Sequence, residues 1–142
     1  MRALFDVNML LALFDPQHVQ HSKAMTWWSD NRGHGWASCP LTENGFLRIA
    51  SQPSYPTPLP LAQAIAILKA QIAKGGHTFW PGDVSIVDEA RIDHGRLLGP
   101  RQLTDVYLLA LAVKNEGRLV TLDHSITHAV VRGGEDRHLV RL

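Results

Sequence analysis

Four carboxylates occupy positions where an acidic side chain needs a partner. Asp6 follows the short apolar run 3–5, and Asp123 follows the predicted strand 118–122. Glu43 and Asp105 each fall in the first turn of a segment whose apolar spacing predicts a helix. Burying a carboxylate without a compensating charge costs several kcal/mol. The sequence therefore predicts that something compensates these four acids.

The surroundings of Asp105 are the most informative. Residues 106–113 are apolar on nearly every side of the predicted helix, which is typical of a buried helix. The lysines and arginines are not spaced as local partners for this carboxylate. A bound cation is the alternative partner for the Asp105 carboxylate. Oxygen ligands suit hard cations, and one or two carboxylates with several waters usually hold Mg²⁺ or Mn²⁺.

A parallel sheet would bring the four acids to one place, because the ends of its strands and the starts of the following helices share one edge. An acidic cluster that holds one or two such ions hydrolyses phosphodiester bonds with a metal-activated water. The same arrangement also fits a phosphatase or a phosphoacceptor domain. The acids alone do not separate these functions.

Each position also has a purely structural interpretation. Acidic residues in a first helical turn interact favourably with the helix dipole. Asn8, Thr42, Thr104 and Asp123 are residue types that cap helices or form turns. These explanations suffice for any one position. The presence of all four acids in one chain favours a shared site.

Length and composition limit the possible classes of protein. The chain has 142 residues, of which 45% are hydrophobic and 19% charged, so we expect one folded domain, 1–142, and not a disordered chain. A net charge of +1 is too weak to indicate nucleic acid binding by itself. The single cysteine, Cys39, excludes an intramolecular disulfide and fits a reducing cytoplasm. The longest apolar runs are far shorter than the roughly 20 residues of a membrane span.

The pattern of apolar residues and turn signals predicts an α/β fold: a central parallel β-sheet flanked by α-helices on both faces. The predicted strands are 3–5, 36–39, 78–80, 118–122 and 138–140. The predicted helices are 9–14, 18–28, 40–50 with Thr42 as a possible N-cap, 61–74, 103–115 and a short one near 125–131. Residues 83–100 are predicted to form a helical turn and a loop.

Four short motifs resemble those of PIN-domain ribonucleases. They are Leu4-Phe5-Asp6-Val7-Asn8-Met9-Leu10-Leu11, Thr42-Glu43-Asn44-Gly45-Phe46-Leu47-Arg48, Leu103-Thr104-Asp105-Val106-Tyr107-Leu108 and Val120-Thr121-Leu122-Asp123. Their order and spacing are similar to those of VapC-type toxins of bacterial toxin–antitoxin pairs. The segments Phe79-Trp80-Pro81 and Arg96-Leu97-Leu98-Gly99 are similar to one VapC subgroup, so the resemblance covers nearly the whole chain.

The resemblance implies a PIN-like fold, a Mg²⁺- or Mn²⁺-dependent endoribonuclease, a homodimer and a VapB-like antitoxin that blocks the site. By the same resemblance, Asp6 and Asp105 would be the principal metal ligands, Glu43 would complete the acidic cluster, and Asp123 would bind metal directly or through water. Asn8 and Thr104 would orient these ligands.

Three further residues are candidate RNA contacts: Arg96, Arg101 and His124. Solvated surface charge is the alternative for each of them. At the level of function, two other interpretations stay open. The chain could be a PIN-fold RNA-processing nuclease without an antitoxin, or a binding module for RNA or protein that keeps the fold without the chemistry.

Overall fold

A five-stranded β-sheet, parallel throughout, forms the centre of the computed structural model, which describes residues 1–142. Its strands are β1 (Ala3–Phe5), β2 (Trp36–Ser38), β3 (His77–Phe79), β4 (Arg118–Thr121) and β5 (Leu139–Arg141). The strand order β3-β2-β1-β4-β5 places β1 in the middle. The carboxyl ends of all the strands therefore lie at one edge, with the end of β1 flanked by those of β2 and β4.

Five α-helices connect and cover these strands. They are α1 (Val7–Phe14), α2 (His21–Asn31), α3 (Pro40–Ala50), α4 (Leu61–Ala73) and α5 (Leu103–Lys114). None of them combines the length and the apolar character that crossing a bilayer would require. The predicted α/β architecture with a parallel sheet is confirmed.

Two hydrophobic cores lie on opposite faces of the sheet. Leu4 packs in the core that contains the apolar residues of α5. Its neighbours Ala3 and Phe5 pack in the core that contains α1, α3 and α4. This division follows from the strand geometry, because successive side chains point to opposite faces. Helix α5 is buried on most of its surface, as its apolar sequence predicts.

Two predicted helix starts and one predicted N-cap need correction. Helix α2 begins at His21, not at residue 18, because the His18 imidazole Nδ1 accepts a hydrogen bond from the Gln20 backbone N–H at 3.0 Å and holds a turn there. Helix α1 begins at Val7, directly after Asp6. Helix α3 begins at Pro40, and its N-cap is Cys39 instead of Thr42. The Thr42 hydroxyl accepts a hydrogen bond from the Cys39 backbone N–H at 3.0 Å.

The short helix predicted near residues 125–131 is wrong. Only a 3-10 turn, His128–Val130, forms there. Ile126, Val130 and Val131 are buried in the core beside α5, and Val131 forms an antiparallel bridge with Ile92. Long-range packing thus decides the conformation of this segment, which its local sequence does not reveal.

The tight junction between α5 and β4 gives a testable prediction. A Cβ atom at Gly117 would lie 2.6 Å from Cη2 of Trp80 and 2.7 Å from the backbone carbonyl oxygen of Arg2. Because backbone cannot move aside cheaply, we expect Gly117→Ala to lower the free energy of unfolding by about 1–3 kcal/mol. Urea denaturation measures this change. Gly33→Ala is the matched control, because a Cβ there meets nothing within 4 Å, and equal stability losses in both variants would contradict the prediction.

Candidate active site

Asp6 is the buried carboxylate at the end of the central strand. It is only 4% exposed and caps α1, where Oδ1 accepts a hydrogen bond from the Met9 backbone N–H at 2.7 Å. Oδ2 accepts a hydrogen bond from the Thr121 hydroxyl at 2.5 Å. Burial raises the pKa of Asp6 to about 6, with a further contribution from repulsion by Asp105 and Asp123, although both hydrogen bonds lower it.

Asp105 and Asp123 lie close enough to Asp6 for their charges to raise its pKa. Asp105 lies half-buried in the first turn of α5, where burial and then the charge of Asp123 raise its pKa. Asp123 is exposed just beyond β4. Its backbone N–H donates to Thr121 Oγ1 at 2.9 Å, and its Oδ1 accepts from the Ser125 backbone N–H at 2.8 Å. The Thr121 hydroxyl therefore contacts both the Asp6 carboxylate and the backbone N–H of Asp123.

Glu43 enters the same edge from α3, which follows β2. Its Oε2 accepts a hydrogen bond from the Ser38 hydroxyl at 2.6 Å. The Ser38 Oγ also lies 2.7 Å from Nε2 of His77 on the neighbouring strand β3. Burial lowers the pKa of His77, although the charge of Glu43 raises it. Ser38 thus holds the Glu43 carboxylate, and His77 is linked to it only through Ser38.

None of these four acids forms an ion pair within the chain. The ion pairs of the structure join Arg91 to Asp88, Arg96 to Asp93, Lys114 to Asp83 and Arg137 to Glu135. The negative charge at the carboxyl edge of the sheet is therefore left without a protein cation. The sequence predicts that these acids need a compensating charge, and no lysine or arginine of the chain supplies it through an ion pair.

The chemistry of these donors suits a hard cation. All of the acidic side chains supply oxygen atoms, and the raised pKa of buried Asp6 shows that a positive charge beside it would be favourable. No three of the histidine, cysteine, aspartate and glutamate side chains are grouped closely enough to hold a metal ion by themselves. The four-carboxylate cluster expected from the sequence is therefore not preformed. Mg²⁺ commonly takes one or two carboxylates and completes its shell with water, so the residues present fit such an ion.

The two residues predicted to orient the acids lie at the surface. Asn8 is exposed and lines an open hollow with Asp123 and His124. Thr104 is exposed at the start of α5. The structure gives neither side chain a hydrogen bond to an acid, and the orienting contacts come from Thr121 and Ser38 instead.

The three candidate RNA contacts differ in whether their side chains already have a partner within the chain. Arg96 pairs with Asp93, with Nε 3.1 Å from Oδ2. His124 Nε2 lies 2.8 Å from the backbone carbonyl oxygen of Leu142. Arg101 is exposed in the turn that leads into α5 and forms no side-chain hydrogen bond or ion pair.

Sequence reasoning missed Thr121, Ser38 and His77 as members of the site. A signal existed for the first two, since each is a hydroxyl residue at the last position of a buried strand and lies two or five residues before an acid. No such signal exists for His77. It lies 39 residues from Ser38 in sequence, and only the pairing of β2 with β3 brings the two together.

Comparison with known proteins decides the family. Ribonuclease VapC44 of Mycobacterium tuberculosis is 50% identical over 142 residues, which is 100% of both chains. Ribonuclease VapC39 of the same organism is 42% identical over 137 residues, which covers 94% of this chain and 96% of the relative. The chain belongs to the VapC ribonuclease family. The resemblance seen in the four motifs is confirmed.

The fold of this VapC chain agrees with a solved VapC-containing structure. A chain in the crystal structure of VapBC2 from Rickettsia felis, bound to a DNA fragment from their promoter, matches with a TM-score of 0.54 at 10% identity. The match covers 88% of this chain and 90% of that one, and it confirms the predicted PIN-like fold. No protein-family model matches the chain.

The raised pKa of Asp6 predicts how the stability of this VapC chain depends on pH. Because the folded-state pKa of about 6 lies above the usual 3.8, the native state binds the Asp6 proton more tightly than the unfolded chain does. This contribution is complete below about pH 4 and is lost as pH rises through 6, an order-of-magnitude loss of roughly 3 kcal/mol. Urea unfolding between pH 4 and 8, with a chelator present, measures it.

Two variants test the assignment of this pH dependence. Asp6→Asn should remove most of it, and Asp105→Asn should reduce it, because a neutral side chain no longer repels Asp6. Asp30→Asn, at an exposed position on α2, should leave it unchanged. A wild-type pH dependence in Asp6→Asn would show that other groups cause the loss. Unfolding of Asp105→Asn would contradict the view that Asp105 repels its neighbours.

Proposed function

We propose that this VapC chain is the toxin of a toxin–antitoxin pair and hydrolyses RNA phosphodiester bonds with Mg²⁺ or Mn²⁺ at the carboxyl edge of its sheet. One observation carries the proposal. Asp6 is buried at the end of the central strand, beside Asp105 and Asp123, and no protein cation pairs with these acids. Membership of a ribonuclease family supplies the class of reaction.

Asp6 and Asp105 would be the principal ligands of the cation, and water would complete its shell. Both oxygens of Asp6 already accept a hydrogen bond, from Met9 and from Thr121, but a carboxylate oxygen has a second lone pair free for a metal. Asp123 would bind directly or through water. When bound, Mg²⁺ or Mn²⁺ supplies an activated water and offsets the charge that develops on the phosphate.

Glu43 is the residue best prepared to receive a proton from the attacking water. Ser38 holds its Oε2, so Oε1 stays available as an acceptor, and Asp123 is the alternative base. In-line attack by water leaves 5′-phosphate and 3′-hydroxyl ends. Arg101 is the unpaired cation nearest in sequence to Asp105, so we assign it a contact with an RNA phosphate, with Arg96 and His124 as further contacts.

The proposed partners follow from the family and from the solved complex. The similarity to the crystal structure of VapBC2 bound to a promoter DNA fragment supports a VapB-like antitoxin as the partner of this chain. We further propose a homodimer that acts on RNA in the cytoplasm, with tRNA and rRNA as the candidate substrates. The buried free thiol of Cys39 is consistent with a reducing compartment.

Cleavage of total cellular RNA tests the activity. The purified chain should give discrete fragments with Mg²⁺ or Mn²⁺ and none with EDTA. Asp6→Asn and Asp105→Asn should reduce the rate by roughly 10²- to 10⁴-fold, because each removes an oxygen ligand of the ion. Asp30→Asn removes an equal charge from an exposed position on α2 and should cleave like wild type.

The fragment ends distinguish the chemistry. Ends with 5′-phosphate and 3′-hydroxyl are expected, whereas a 2′,3′-cyclic phosphate would overturn the mechanism because it requires attack by the RNA's own 2′-hydroxyl. Absence of both cleavage and metal binding in a folded sample would instead support the non-catalytic binding module. Cleavage without an antitoxin gene beside the toxin gene would support an RNA-processing nuclease.

Metal binding has a readout that needs no RNA. At a Mn²⁺ concentration of about 100 Kd, the free energy of unfolding should rise by about 2.7 kcal/mol. At one fixed Mn²⁺ concentration, the rise should be larger at pH 8 than at pH 5, because protons compete with the ion for Asp6, whose pKa is about 6. Urea titrations with and without Mn²⁺ measure it. An equal rise in Asp6→Asn would place the ion elsewhere on the chain.

A further inference from the structure

A continuous chain of hydrogen-bonding groups links the edge strand β3 to Glu43. The Ser38 hydroxyl donates to Glu43 Oε2 at 2.6 Å, and the same Oγ lies 2.7 Å from His77 Nε2. Ser38 is fully buried, and His77 is half-buried. We call these three side chains the Glu43 relay.

The donors and acceptors of the relay permit one arrangement. Ser38 donates its hydroxyl hydrogen to Glu43 Oε2, and a serine hydroxyl has only one hydrogen to donate. Ser38 Oγ must then accept from His77, which requires a proton on Nε2 of the imidazole. In the neutral ring, Nδ1 is consequently unprotonated. The contact chain thus specifies the tautomer of His77.

Strand pairing and ring packing position Ser38 and His77, the two relay residues behind Glu43. Ser38 is the last residue of β2, which pairs in parallel with β3 in the register Trp36 to His77. The His77 ring also packs against the ring of Trp36, with 4.4 Å between their centroids. Strand pairing and ring packing therefore fix the donor before any substrate arrives.

We propose that Ser38 and His77 are positioning residues for the RNA hydrolysis assigned above: they fix the orientation of the Glu43 carboxylate so that Oε1 faces the reacting edge. The proposal rests on the proposed function, since it presumes that Glu43 acts there. Partners that orient an acidic ligand from behind typically contribute 10- to 100-fold in metal affinity or activity. Both residues would act through Glu43 and not on the substrate itself.

The tautomer of His77 provides a test without RNA or metal. Long-range ¹H–¹⁵N correlation spectra of the full-length chain at pH 8 should show His77 with a protonated Nε2 and an unprotonated Nδ1. Ser38→Ala should shift the His77 signals and leave those of His138, which bonds elsewhere, unchanged. A proton on Nδ1 of wild-type His77, or no response to Ser38→Ala, would overturn the relay.

A pair of His77 variants tests its effect on catalysis. The side-chain amide of His77→Gln can place an N–H donor near the Nε2 position, whereas His77→Leu has similar bulk and no donor. We expect His77→Leu and Ser38→Ala to lower kcat by about 10- to 100-fold with little change in KM, and His77→Gln to recover most of it. Equal losses of kcat in the Gln and Leu variants would show that His77 acts only by packing, and would overturn its positioning role.

The two proposals fail in different ways. If the wild-type chain does not cleave RNA with Mg²⁺ or Mn²⁺, the proposed function falls, and with it the catalytic role of the relay, whatever the spectra show. If the wild type cleaves RNA and His77→Leu cleaves equally well, the ribonuclease stands and the positioning role falls.

Discussion

The burial of one carboxylate, Asp6, constrains the rest of this site. Removal of its charge from water is unfavourable, and the chain offsets only part of that cost with hydrogen bonds from the Met9 N–H and the Thr121 hydroxyl. The pKa of Asp6 is therefore about 6, above the usual 3.8, because the hydrogen bonds do not offset the whole cost of burial. Asp105 and Asp123 add repulsion instead of relief, so the folded chain favours a cation at this edge. The folded chain therefore carries a locally unfavourable negative charge that a bound cation would stabilise.

The sheet topology explains why the charge accumulates there. Strand β1 is central, and its neighbours β2 and β4 run parallel to it. The end of each of these strands therefore meets the starts of helices at one edge. The same two flanking strands end in Ser38 and Thr121, whose hydroxyls hold Glu43 and Asp6 respectively. A strand-terminal hydroxyl that donates to an acid is thus used twice, once on either side of β1, and both donors are fully buried.

Much of the architecture can be predicted from local patterns in the sequence. The alternation of apolar and polar segments predicts five parallel strands and helices on both faces, because a strand buried on both sides and an amphipathic helix have different periods. The errors fall where local signals compete with other contacts. His18 continues the helical pattern, but its ring accepts a backbone N–H and delays α2. Residues 125–131 look helical, but burial of Ile126, Val130 and Val131 beside α5 decides their path.

The sequence by itself determined which acids need an explanation and, through four ordered motifs, the family that supplies one. Residue type and spacing suffice for this, because an acid after a buried strand or inside an apolar helix is costly wherever the chain folds. Only the tertiary structure decided how those acids are held. Thr121 meets Asp6 across 115 residues of sequence, and His77 meets Ser38 across 39. Such contacts depend on strand register and on side-chain hydrogen-bond geometry, which arise only when the sheet assembles and which leave no periodic trace in the sequence.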